Sequence, residues 1–147
     1  VTVEALSRRL EGWANQLVTR FGHPAYLVGS ALEKGEDARD VDVIVILPDE
    51  EFWGRYGSHW GHERMTPDWP EVSLQYAADM GKLASYAAKE YKVNVDLKVE
   101  PVCLVTARYH GKPRLRLDKV LTIPEVPLYS RADCNCPWCL EIIRARE

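Results

Sequence analysis

Apolar residues at Leu6, Leu10, Trp13, Leu17 and Phe21, widened by Ala14 and Val18, recur at the helical period and predict an amphipathic helix over the opening segment. Thr2 is placed to cap it, and Gly22 with Pro24 to stop it. Ala25 to Val28 form a short apolar run, read as a buried strand that turns at Gly29-Ser30. The next segment, RDVDVIVIL, sends Val41, Val43, Val45 and Leu47 to one side of an extended chain and Asp40, Asp42, Ile44 and Ile46 to the other. A strand apolar on both faces beyond its first residues is expected at the centre of a sheet, covered on both sides, with its two carboxylates at one end. Pro48 and Asp49 are expected to end it and cap a short helix through Phe52-Trp53.

From Gly54 to Pro70 no period emerges, which predicts an irregular connection or the rim of a site. Glu71 to Tyr91 reads as a longer helix that packs through Leu74, Ala77, Ala78, Leu83, Tyr86 and Ala87, with Gly81 a point at which it could divide in two. In YKVNVDLKVEPV, Val93, Val95, Leu97 and Val99 alternate with Asn94, Asp96, Lys98 and Glu100, the pattern of a half-buried strand ending near Pro101. A further short strand is expected around Val102 to Val105, followed by a basic segment, a Pro-rich passage and the tail DCNCPWCLEIIRARE. The predicted fold class is α/β in the α+β sense: a mixed sheet with flanking helices and a short Cys-rich C-terminal tail. Residues 1–123 form the expected domain, and 124–147 an extension packed on it as a candidate metal knuckle.

A chain of 147 residues suits one ordinary core, so a large substrate would meet a shallow surface, a second copy or a partner. Its 22 acidic residues barely exceed its 19 basic ones, which argues against coating of extended duplex DNA but leaves room for a local anion pocket. The sequence has no apolar run long enough for a bilayer and no secretory pattern, so a cytoplasmic protein without membrane attachment is expected.

The chemistry begins with the carboxylates. Asp40 and Asp42, separated by one strand residue, lean the same way, and oxygen ligands so placed suit Mg²⁺ or Mn²⁺ better than zinc. Asp96, on the polar face of a second strand, is the expected third member. A solvated strand end is the plain alternative for any single Asp-x-Asp pair. The weight shifts because the pair follows a strand and a Gly-Ser turn, and precedes a strand that carries a further carboxylate. Gly29 would leave backbone N–H groups accessible, and Ser30 would offer a hydroxyl to phosphate.

The segment LVGSALEKGEDARDVDVIVIL resembles the signature of the polymerase-beta-like nucleotidyltransferase superfamily, most closely the short single-domain members found in actinobacteria and their phages. Over about residues 25 to 100, Gly29 and Ser30 match the phosphate-contacting pair, Gly35 the glycine of the following turn, Asp40 and Asp42 the paired metal ligands, and Asp96 is the candidate third. The resemblance implies transfer of a nucleoside monophosphate from an NTP to an acceptor hydroxyl or phosphate, with release of pyrophosphate. Arg39 stands where many members have Ser, and the extra helical domain that grips base or acceptor in many of them has no counterpart here.

Among cations, Lys98 ranks first for neutralising phosphate and Arg39 second, ahead of Lys34 and Arg64. His59 and His62 could assist an acceptor, and Trp53, Trp60 and Trp69 could stack on a base. Each also has an ordinary structural reading as loop anchor or core. Cys134, Cys136 and Cys139 are spaced to wrap one Zn²⁺ with Cys103, or next His110, as fourth ligand. Reduced cysteines or a Cys136–Cys139 redox pair compete with that arrangement, and the balance falls against zinc. Two alternatives to the transferase stand beside it. One is a catalytically silent domain that binds nucleotide or protein, paired with itself or with another chain; the other is a metal-dependent phosphoesterase.

Overall fold

The computed structural model of the chain describes residues 2–35, 40–56, 74–109 and 111–128. The opening helix, α1 (Val3–Phe21), begins where Thr2 Oγ1 accepts the Ala5 N–H at 3.1 Å and ends where Gly22, at φ 76°, turns its own N–H back to Val18 O. The strand β1 (Ala25–Val28) leads through Gly29 and Ser30 into the short α2 (Ala31–Lys34). Then β2 (Val41–Leu47) runs into α3 (Asp49–Tyr56). Beyond them lie α4 (Leu74–Tyr91), β3 (Val95–Pro101), α5 (Val102–Tyr109) and β4 (Leu115–Arg116).

The four strands lie in the order β3-β2-β1-β4. β1 pairs antiparallel with β2 and β4, while β2 and β3 run parallel, so the sheet is mixed. As its two apolar faces predict, β2 lies inside the sheet. Val41, Val43, Val45 and Leu47 join Leu97 and Val99 in a core closed by α1 and α4, including Leu6, Leu10, Trp13 and Leu17. Ile44 and Ile46, with Tyr26 and Val28, face the other way, onto Val102 and Val105 of α5 and onto Val126 and Leu128. A buried aliphatic or aromatic side chain contributes about 1.5–3 kcal/mol, whereas an exposed ion pair contributes about 0–1 kcal/mol, so these two apolar layers set the architecture.

Three sequence expectations change. The helix α4 is continuous through Gly81, and its buried line is Tyr76, Met80 and Ala87 with Leu83 packed alongside; Leu74 is 86% exposed, and Ala77, Ala78 and Tyr86 also face out. The cause is aromatic: Tyr76 makes edge contacts with Phe52 and Tyr56 at 6.3 and 5.2 Å between ring centroids, which fixes the rotation of the helix. Trp13 adds a tie by donating its indole N–H to Leu83 O at 3.1 Å.

The apolar run at Val102 to Val105 is helical, not extended. Its first turn is capped from a distance, since Asp49 Oδ1 accepts the Cys103 N–H at 3.0 Å. Glu100, expected on a solvated strand face, is 1% exposed.

The sheet edge at β3 has a cover of its own. The Val99 N–H is donated to the buried hydroxyl of Tyr76 at 3.0 Å. At the opposite edge, Arg116 and the buried Asp118 form a clasp. Asp118 accepts from Arg116, from the Ala25 N–H and from the Val120 N–H, while Arg116 also donates to the carbonyls of Val120 and Ile123. Glu125 accepts the Tyr26 hydroxyl at 2.9 Å, so the chain just past residue 123 lies against the second apolar face. No helix of the described residues is long and apolar enough to cross a membrane.

Candidate functional site

Three strand ends meet at the start of β2. Antiparallel pairing sets Val28 of β1 opposite Asp42, and parallel pairing sets Asp96 of β3 opposite the same residue. Register partners project from one face of a sheet, so the two carboxylates share the face that carries Ile44 and Ile46. Lys98, two residues beyond Asp96, follows on that face, and Asp40 lies just before β2 at an exposed position.

The turn after β1 is shaped around Asp42. Gly29 has φ 75°, and a Cβ on it would stand 2.8 Å from Asp42 Oδ2. Any other residue would both strain the backbone and push the carboxylate away, so glycine at this point lets backbone and carboxylate approach each other. Ser30 occupies the N-cap position of α2, yet its side chain makes no capping hydrogen bond, which leaves the exposed hydroxyl uncommitted to the helix.

The electrostatics agree with the register. The Asp42 carboxyl titrates above the ordinary aspartate range, first because burial penalises its charge, then because Asp96 repels it, with Asp40 adding to the effect. The Lys98 ammonium opposes this shift. Asp40, Asp42, Asp96 and Lys98 therefore share one local field, as their spacing on two strands predicts. Among the described residues, no three His, Cys, Asp or Glu side chains are gathered closely enough to hold one metal ion as they stand. The donor set is nonetheless of the kind that suits Mg²⁺ or Mn²⁺: carboxylate oxygens at a strand end, beside a glycine that leaves the approach to Asp42 open.

Lys34 ends α2 at an exposed position. Cys103 is buried in the first turn of α5. Arg39, His59, Trp60, His62, Arg64, Trp69 and His110 lie outside the described residues, as do Cys134, Cys136 and Cys139, so the zinc arrangement has only Cys103 within them.

One feature of the site carries no mark in the sequence. A pocket of about 240 Å³ opens beside Gly29, and Tyr109 and Lys112 contribute to its wall. They arrive there because α5 ends in a turn at Gly111, φ 75°, in which the Lys112 N–H bonds to Tyr109 O at 2.9 Å. A Gly-Lys-Pro turn is legible as a turn. Its return to Gly29, far away along the chain, depends on the packing of α5. Comparison of the chain with protein-family models, with curated proteins and with solved structures finds no match.

Proposed function

We propose that the chain transfers a nucleoside monophosphate from an NTP to an acceptor in a reaction that depends on a divalent metal ion. One observation carries the proposal. Asp42 sits in register between the glycine turn and Asp96, in a field shared with Asp40 and Lys98. Burial raises the cost of the Asp42 charge and its acidic neighbours add to it, and a polar site that maintains such a cost suits a cationic or phosphate-bearing ligand.

Asp40, Asp42 and Asp96 would hold Mg²⁺ or Mn²⁺, which when bound supplies charge neutralisation and a more acidic acceptor hydroxyl. The chain's own groups have separate tasks. Gly29 leaves the backbone open to phosphate, and the Ser30 hydroxyl offers a donor to its outer oxygens. Lys98 faces the charge that develops on the transferred phosphoryl group. Asp96, from a different strand, orients the acceptor side.

The test supplies each NTP, labelled at its α-phosphate, with Mg²⁺ and a pool of small metabolites, RNA and protein. Label should appear on an acceptor with wild-type protein and fall by on the order of 10²-fold or more in Asp42→Asn. Asp96→Ala should lose turnover more than it loses NTP binding. Nucleotide binding without turnover would favour the silent binding domain, and label released as free monophosphate would favour the phosphoesterase.

A further inference from the structure

We propose that the pocket beside Gly29 seats the base of the bound nucleotide and selects guanine. The inference rests on the nucleotidyltransferase reading and adds to it the identity of the base.

Position is the first reason. Val28 and Gly29 belong to both regions: each lines the pocket, while Val28 is the cross-strand partner of Asp42 and Gly29 lies against its carboxylate. A nucleotide whose phosphates lie over the carboxylates therefore has the pocket as an adjoining place for its base. Size is the second. At about 240 Å³ the pocket falls below the roughly 300–1,000 Å³ that encloses a whole drug-sized ligand, and it suits one ring system with the remainder outside.

Chemistry then chooses among the bases. Leu32, Tyr109 and Pro113 give the pocket apolar and aromatic surface for the faces of a flat ring. Its two charged lining residues, Glu33 and Lys112, have opposite signs, and among the described residues no side-chain hydrogen bond or ion pair engages either one. Guanine offers two adjacent donors, N1–H and the 2-amino group, to a carboxylate, and two acceptors, O6 and N7, to an ammonium. Adenine would set its N1 lone pair against the carboxylate. Uracil has one ring N–H, and cytosine has an amino group but no ring N–H on its pairing edge. Guanine alone among the four offers two adjacent donors to both oxygens of the carboxylate while presenting a pair of acceptors to the ammonium.

Binding of GTP, ITP, XTP, ATP and CTP, each with Mg²⁺, can be measured by calorimetry. Wild-type protein should bind GTP about tenfold or more tightly than ATP or CTP, and more tightly than ITP, which lacks the 2-amino group. Glu33→Gln should lower affinity for GTP and raise it for XTP, because the amide can donate to the 2-carbonyl of xanthine where the carboxylate repels it. Lys112→Ala should weaken GTP binding and leave CTP unchanged. Glu33 and Lys112 are exposed, and circular dichroism should show both variants folded. Equal affinity for all the nucleotides, or an unchanged GTP/XTP ratio in Glu33→Gln, overturns the guanine pocket. If such unselective binding still requires Mg²⁺ and Asp42, the transferase proposal survives its loss. Failure of every nucleotide to bind removes both.

Discussion

Asp42 stands between opposing influences: burial, Asp96 and Asp40 on one side and Lys98 on the other, with a net rise in the pH at which its carboxyl ionises. The sign for stability follows from linkage. A carboxyl whose folded-state pKa is raised favours the folded protein while it is protonated, fully so below the ordinary aspartate pKa, and that contribution is lost as pH rises through the raised value. At neutral pH the ionised group is a net cost to the fold. Thermal melts without divalent metal should therefore show Asp42→Asn gaining stability relative to wild type as pH rises from acid towards neutrality, with the gap closing at low pH. Excess Mg²⁺ should raise the midpoint of the wild-type protein and not that of the variant. The face each of Asp42 and Asp96 takes in its own strand is visible in the sequence through alternation, whereas their setting opposite each other comes from the parallel register of β2 and β3. The contact of Asp42 with Gly29 is not visible there either, since it depends on how the turn after β1 folds back over β2.

At the level of elements, periodicity succeeds where a strand or helix is decided by its own residues. The opening helix has its cap and its stop where Thr2 and Gly22 put them, and β2 has the two covered faces its valines and isoleucines require. It fails where a neighbour decides. Val102 to Val105 has the β-branched composition of a strand, and the carboxylate of Asp49 favours a helix there by satisfying an early N–H of α5. Gly81 tests the opposite case. It lies inside a continuous helix at an exposed position with nothing within 4 Å of an added Cβ, so tertiary packing carries the helix through a poor helix former. Gly81→Ala should stabilise the protein by about 0.8–1 kcal/mol in urea unfolding, through helix propensity and loss of unfolded-state freedom.

The whole molecule is joined at one edge by polar contacts and not by apolar burial alone. Asp118 is fully buried, with its carboxylate shared between Arg116 and the backbone of Ala25 and Val120, so the segment after β4 is tied to the start of β1. Asp118→Ala would strand the Arg116 guanidinium and the Ala25 N–H, and should cost about 3–5 kcal/mol in denaturant unfolding. A basic PRLRLDKV segment shows its charge in the sequence; that Arg116 is largely buried does not show, because its partners, Asp118 and the carbonyls of Val120 and Ile123, reach it only through the way the chain after β4 folds back.

The tyrosine that receives the Val99 N–H bears on how copies of the chain can meet. An incoming strand laid along β3 would find one amide already occupied and an aromatic cluster behind it, so growth of the sheet from this side would forfeit a rung of its ladder. Edge-to-edge stacking at β3 is thus made less favourable by the loss of that hydrogen bond. Among the described residues, the outer faces of the helices and the opposite rim are the surfaces through which copies could meet without that loss.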